Sequence, residues 1–290
     1  MTDLIFGVNL PAFAASGADP VAMASEAERL GFEFVSAADH PCGPDNSYET
    51  LTMLTWIAAR TTTIKVASRV LAVPFRRPAM VAKLAASLDQ LSGGRLILGL
   101  GAGSSDPEIA AVGGPALSPA EKIAGLAEAI EVIRGAWTPP GFTFRGRFHR
   151  VTDLEMQPLP ARPVPVWLGT FGPRALAVTG RLADGWIPSL GYVPLDRFPV
   201  MRRRVDDAAL AAGRTPADVR GVLNLGILVE PGARPQPAAV AGSAPQVVSQ
   251  LRELAGLGFT GFSFRVENPD QLAGMRRIAD EVLPALRSAG

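Results

Sequence analysis

The sequence predicts an α/β fold, a (β/α)8 TIM barrel with an insertion between its fourth helix and fifth strand. Three observations predict it. Strand-like and helix-like segments alternate from end to end, and they count to eight units. The chain has 290 residues, and such barrels typically occupy about 250. The strand segments are continuous apolar runs, as expected when both faces of a parallel sheet are buried. A doubly wound open sheet is the competing arrangement.

The first unit is IFGVNLP followed by PVAMASEAERLGF at helical spacing. FEFVSAADH and YETLTMLTWIAART form the second. IKVASRVLAV and PAMVAKLAASLDQL form the third, with Pro78 suited to a first helical turn. RLILGLGAG is the fourth strand, and SPAEKIAGLAEAIEVIRGAW its helix. That helix opens on a capping-box pattern of Ser118 and Glu121 with Pro119 between them. VPVWLGTF and GPRALAVTGRL are the fifth unit, DGWIPSL and FPVMRRRVDDAALAAG the sixth. VLNLGILV and SAPQVVSQLRELAGLG are the seventh, capped by Ser243 and Gln246. FTGFSFRV and DQLAGMRRIADEVLPALRSAG complete the eighth. Gly31 and Gly258, each in a Leu-Gly-Phe step from helix to strand, suit the left-handed position that ends a helix. Residues 138–163 break the alternation. GFTFRGRFHRV alternates like a hairpin around Gly146, and prolines then lead into strand five. The whole chain, 1–290, reads as a single domain carrying this insertion.

Composition narrows the function. With 28 basic and 27 acidic side chains the net charge is +1, which argues against a nucleic-acid partner. No apolar run reaches the roughly 18 residues that span a membrane, and MTDLIFGVNL has no signal-peptide pattern. A single cysteine, Cys42, suits a reducing cytoplasm. The two histidines, His40 and His149, are far apart and have no ligand cluster around them, so no metal site is expected. His149 reads as a solvent-side hairpin residue, the arginines at 202–204 as a solvated helix face, and Arg76 and Arg77 as surface charges on the rim.

In a TIM barrel the chemistry gathers at the C-terminal ends of the strands. Strand two ends in Asp39-His40, strand three in SRVLAVPFRRP, strand four in GLGAGSSDPE, strand five in LGTFGPR and strand six in DGWIPS. Asp39 and His40 point to opposite faces while extended, but a turn at Pro41 can bring both to the rim. His40 suits proton transfer near neutral pH; the alternative is a capped strand end. In LGTFGPRALAV a helix starts at Gly172-Pro173-Arg174, and its unpaired amides suit a phosphate, with Arg174 adding charge. An ordinary βα turn explains the same residues. GLGAGSS lets a flat group approach the backbone closely. It is not a dinucleotide fingerprint, since residue 104 is serine.

These strand ends, in this order, resemble the bacterial luciferase-like superfamily, and more closely its branch that uses the deazaflavin coenzyme F420. ADH at 38–40, SRVLAVPFRRPAMVAK at 68–83, SGGRLILGLGAG at 92–103 and VWLGTFGPRALAVTGRLADGW at 166–186 carry the resemblance. It implies an F420-dependent oxidoreductase that passes a hydride between the deazaflavin C5 and a small organic substrate. His40 matches a proton donor or acceptor, and Asp39 a cofactor-contacting acid. A non-proline cis peptide at the end of strand three would fall at Arg69-Val70, behind the cofactor. Ala102 and Gly103 match backbone contacts to the cofactor. Thr170, Phe171, Gly172, Pro173 and Arg174 match its phosphate loop. The resemblance also implies a homodimer. Two departures stand out. Ser104 replaces the glutamate of the family's sugar-phosphate dehydrogenases, which argues against that reaction, and Arg69 replaces a small residue. The rival readings are a monooxygenase using reduced FMN and dioxygen on the same barrel, and a flavin- or deazaflavin-binding protein without turnover.

Overall fold

The computed structural model describes residues 4–12, 18–43, 47–138 and 141–287. The chain begins with β1 (Ile5–Asn9), α1 (Pro20–Arg29), β2 (Phe34–Ala37), α2 (Thr50–Arg60), β3 (Lys65–Ser68), β4 (Leu71–Ala72), α3 (Pro78–Ser92) and β5 (Leu96–Gly101). Next come a short α4 (Asp106–Ala111), the long α5 (Pro119–Ala136), and the hairpin of β6 (Phe142–Arg145) and β7 (Arg150–Leu154). The remainder is β8 (Val166–Leu168), α6 (Pro173–Leu182), β9 (Gly185–Trp186), α7 (Phe198–Ala211), β10 (Arg220–Val229), β11 (Ala239–Gly242), α8 (Ala244–Gly256), β12 (Gly261–Val266), α9 (Gln271–Arg277) and α10 (Leu283–Arg287). Both capping boxes expected from the sequence form, Ser118 with Glu121 and Ser243 with Gln246. Gly31 and Gly258 take the positive φ that their helix ends require. No helix among the described residues is long and apolar enough to cross a membrane.

The sheet closes into an eight-stranded parallel barrel. Its order is β1-β2-β3-β5-β8-β9-β10-β12, with β12 pairing back onto β1. The joint that removes both edges is β9 against β10, Gly185 opposite Arg220 and Trp186 opposite Gly221. The open-sheet alternative is thereby excluded. β10 is long enough to close the barrel with its first half and to carry β11 on its second. β11 is not legible in the sequence, because AVAG has too few large apolar residues to read as a strand.

Strand three does not run straight through, as IKVASRVLAV suggests. Ala67 pairs with Ile97, but Leu71 pairs with Leu100. One extra residue is therefore accommodated on the strand-three side, a bulge. The Arg69-Val70 peptide inside it is cis, the conformation that the family resemblance implies.

The hairpin lies outside the barrel and packs on α5. Gly135 leaves room for the Phe142 ring, which a Cβ would meet at 2.2 Å. His149 is not solvent-side. Its Nε2 lies 3.1 Å from the Gly125 carbonyl of α5, and burial lowers its pKa. Arg203 and Arg204 are exposed as expected, whereas Arg202 turns back to the Val219 and Pro216 carbonyls at 2.8 Å.

Side chains inside the barrel follow the two-residue period of strands. A lower apolar plug contains Phe34, Ala67, Ile97, Trp167, Ile187 and Val222. Phe34 and Trp167 meet edge to face, with centroids 5.4 Å apart. Glycines make room for them: a Cβ on Gly7 would sit 2.3 Å from the Phe34 ring, and one on Gly185 2.4 Å from Trp167. Two residues further along, six of the strands place polar side chains in the layer above, Asn9, Ser36, Arg69, Ser189, Asn224 and Ser263, while β5 and the end of β8 place Gly99 and Gly169. This layer is the floor of the mouth.

Candidate active site

At the end of β2 the chain leaves its extended path, and the two neighbours Asp39 and His40 turn to different partners. The Asp39 side chain is buried. Its carboxylate accepts from Arg76 Nη1 and Nη2, each at 2.8 Å, from Thr50 Oγ1 at 2.9 Å and from the Ala72 amide at 3.0 Å. Arg76 also donates to Glu49 at 2.8 Å. Burial alone would lower the Arg76 pKa, but Asp39 and Glu49 raise it. Arg76 is thus not the surface charge expected from its place on the rim; Arg77 is exposed. The clamp ties the end of β2 to α2 and to β4 just beyond the bulge. Asp39, expected as a cofactor contact, has both oxygens committed to protein donors.

His40 is half-exposed at the rim. Its Nδ1 lies 3.2 Å from both carboxylate oxygens of Glu108. A carboxylate can only accept, so Nδ1 carries the proton and Nε2 is left for proton exchange. Nε2 has no partner among the described residues. Glu108 is not among the site residues expected from the sequence. The signal was the Ser105-Asp106-Pro107-Glu108 run, a capping-box pattern opening α4. Ser105 does accept from the Glu108 amide, at 3.4 Å. The Glu108 carboxylate, however, goes to His40 instead of back to the cap. An acid therefore stands beside His40 even though residue 104 is serine.

The strand-four end is shaped by glycine. Gly103 has φ +87, and a Cβ there would lie 3.0 Å from Pro74 and Ile109. Its carbonyl accepts from Lys122 Nζ at 3.2 Å, and Lys122 also pairs with Asp106. Ala102 is half-buried beside it. Val70, from the bulge, fits over glycines of β5 and the β8 end: a Cβ on Gly101 would stand 2.7 Å from it and one on Gly169 3.2 Å.

In the loop after β8, Thr170 is buried. Its hydroxyl pairs with Thr179 at 2.7 Å, and its carbonyl accepts from Trp186 Nε1 at 2.9 Å. Only neighbours further along the loop face outward. Phe171 stacks on Tyr192 with centroids 5.2 Å apart. Gly172 is the N-cap of α6, no side chain caps the helix, and a Cβ on Gly172 would meet nothing within 4 Å. Pro173 and Arg174 are exposed beside it. The α6 amides thus face open space with a cation next to them, an arrangement that suits a phosphate.

Arg69 completes the mouth. Its amide donates to the Ala37 carbonyl at 2.7 Å, so it continues the β3 ladder and points inward two residues after Ala67. The Asn224 oxygen either accepts from Asn9 Nδ2 at 2.7 Å or, with the amide turned over, faces Ser189 and Arg69. In the turned orientation it accepts from Ser189 Oγ at 2.8 Å and from Arg69 Nη1 at 3.2 Å. The Arg69 Nε is shut off from solvent without a partner among the described residues.

The chain is 32% identical over 206 residues to an F420-dependent glucose-6-phosphate dehydrogenase of Amycolatopsis mediterranei, covering 69% of this chain and 62% of that protein. It is 28% identical over 309 residues to the protein of the same name from Intrasporangium calvum, covering 90% of this chain and 92% of that one. Its fold matches that of an F420-dependent secondary alcohol dehydrogenase with a TM-score of 0.86 at 18% identity, over 98% of this chain and 99% of that chain. Residues 6–234 match the family model for luciferase-like monooxygenases. With that span matched on a closed parallel barrel, the chain belongs to the luciferase-like monooxygenase family.

Proposed function

We propose that this chain is an F420-dependent oxidoreductase in which His40 exchanges the proton on the substrate oxygen. The observation that carries the reading is the His40–Glu108 pair at the rim. Glu108 holds the ring through Nδ1, and Nε2, without a partner among the described residues, would serve as the base or, once protonated, the acid. Relatives named as F420-dependent enzymes support the choice of cofactor. When bound, F420 supplies a hydride acceptor or donor at its deazaflavin C5.

The residues present fit such a group. The α6 amides, Gly172, Pro173 and Arg174 would hold its phosphate, with Phe171 and the Thr170 backbone setting the loop. Ala102 and Gly103 would offer backbone to it, and the Arg69-Val70 bulge would back the ring. Asp39 would act indirectly, by locking the β2 end through Arg76.

The test is a fluorescence titration of the chain with F420 and with FMN. F420 binding, followed by hydride transfer to or from an alcohol or carbonyl substrate, is the expected result. Preferential binding of FMN with oxygen consumption would replace this reading with a flavin monooxygenase. Tight F420 binding with no reaction across alcohols, aldehydes and enones would leave a binding protein.

We also propose that the chain forms a homodimer through the outer faces of α2 and α3. Trp56, Met80 and Leu84 are exposed there, and Tyr48, Trp56 and Leu84 line one apolar groove of about 720 Å³. Light scattering should give twice the chain mass, and Trp56→Asp with Leu84→Asp should give a monomer. A monomeric wild type at micromolar concentration would sink the proposal.

A further inference from the structure

Arg69 differs from the paired charges around the mouth. Asp39 and Arg76 pair with each other, Lys122 with Asp106, and Arg265 with Glu267. Arg69 has one neutral partner, the Asn224 oxygen, and its buried Nε has none among the described residues. Burial, and after it the like charge of Arg265, draw its pKa down to about 10. It therefore stays cationic at neutral pH.

The position is as telling as the missing partner. β3 and β10 face each other across the barrel, equally far apart by either route round the ring. A side chain that starts at the end of β3 and reaches Asn224 of β10 must cross the lumen. The guanidinium thus lies over the polar floor, where a molecule entering the mouth meets it. Taking a cation out of water without a counter-ion is costly, by several kcal/mol. The Asn224 amide and Ser189 fix the plane of the fork but supply no charge. A planar guanidinium with unused donors suits a carboxylate, which it can bind through two parallel hydrogen bonds. A phosphate has its own place at α6, on a different part of the rim.

We propose that Arg69 receives a carboxylate on the substrate, so that the chain acts on small hydroxy or oxo acids. This rests on the F420 reading of the same mouth. Arg69 is a positioning and specificity residue here, and His40 keeps the proton chemistry.

The experiment uses the full chain and size-matched pairs: lactate against 2-propanol, and mandelate against 1-phenylethanol. F420 affinity is measured first, by fluorescence titration of wild type, Arg69→Met and Arg69→Lys. Both variants should bind F420 within about threefold of wild type, less than a lost charged contact would cost. Wild type should favour the acid of a pair by about tenfold to hundredfold in kcat/KM, the value of one charged hydrogen bond. Arg69→Met should erase that preference through KM, and Arg69→Lys should keep part of it. Calorimetry with mandelate gives a readout without turnover, with binding to wild type at least about tenfold tighter than to Arg69→Met. F420 binding weakened by about tenfold or more in Arg69→Met would assign Arg69 to the cofactor and overturn the proposal. So would preference for the alcohol in both pairs, or no binding of either acid by wild type. Failure of the F420 reading looks different: wild type binds no F420, while mandelate binding still depends on Arg69.

Discussion

Two charges stand at the ends of neighbouring strands, Asp39 buried after β2 and Arg69 half-buried after β3 with its Nε shut off from solvent. Both come from the same side of the barrel, and both were expected to meet a cofactor. Their surroundings are opposite. Asp39 accepts from Arg76, Thr50 and the Ala72 amide, so its charge and its oxygens are accounted for by the protein. Arg69 has one amide oxygen and an orphaned Nε. A charge matched by its own chain holds structure, whereas one left unmatched has donors free for another molecule. His40 lies between these cases. One nitrogen is anchored on Glu108, and the other has no partner among the described residues.

The largest expected effect breaks the comparison at His40. His40→Ala should slow single-turnover hydride transfer by about 10²–10⁴-fold at saturating cofactor and substrate, with little change in F420 affinity. A rate within about threefold of wild type would return His40 to the status of a strand cap.

Asp39→Ala comes next and acts on stability. It leaves Arg76 paired with Glu49 alone and the Thr50 hydroxyl and Ala72 amide without their shared acceptor, which should cost about 1.5–3 kcal/mol in urea unfolding. Asp39→Ala combined with Arg76→Met should recover part of that loss. A variant of normal stability that instead binds F420 poorly would make Asp39 a cofactor contact and remove the contrast with Arg69.

Arg174→Glu tests the open end of α6. It places an anion where the phosphate is proposed to sit. F420 binding should weaken by about tenfold to hundredfold, from the loss of about 1.5–3 kcal/mol of charged hydrogen bonding. Unchanged affinity removes Arg174 from the site.

The smallest effect concerns a second saturated carboxylate, Glu28 of α1. Burial pushes its pKa up, but the Thr63, Ile64 and Thr62 amides and the Thr63 hydroxyl outweigh it and hold it at about 2. A depressed carboxyl pKa stabilises the fold above the unfolded value and loses that contribution as pH falls. The contribution should therefore fade from the ordinary 4.5 down to about 2. Glu28→Gln should cost about 1–3 kcal/mol at neutral pH and nothing near pH 2, where the two proteins should unfold alike. An equal difference at both pH values would show that the charge is irrelevant.

Much of the architecture was legible because it depends on local pattern. Most apolar runs, the proline-led helices and the capping boxes at Ser118 and Ser243 need only neighbouring residues and form as read, the third strand with its bulge excepted. The strand-end rule likewise brought His40, Ala102, Gly103, Gly172 and Arg174 to one mouth. The failures share a cause. Arg76, His149 and Glu108 were judged by their own stretch of chain, but their partners lie far away in sequence. Arg76 meets Asp39, His149 meets Gly125, and Glu108 meets His40.

The sequence by itself determined the eight-unit barrel, the inserted hairpin and the set of strand ends that could carry chemistry. The two-residue period of strands also marked which residues turn inward together, since Ala67 and Arg69 share a face. Only the tertiary structure decided which of those groups are paired. Pairing depends on which strands face each other once β9 closes on β10, and that closure is a relation between segments distant in the chain. It leaves Asp39 within reach of Arg76 and places Arg69 across the lumen against Asn224, where no carboxylate of the described chain meets it. Charge type was written locally, but its neutralisation was a matter of geometry, because a hydrogen bond or ion pair exists only within about 3–4 Å.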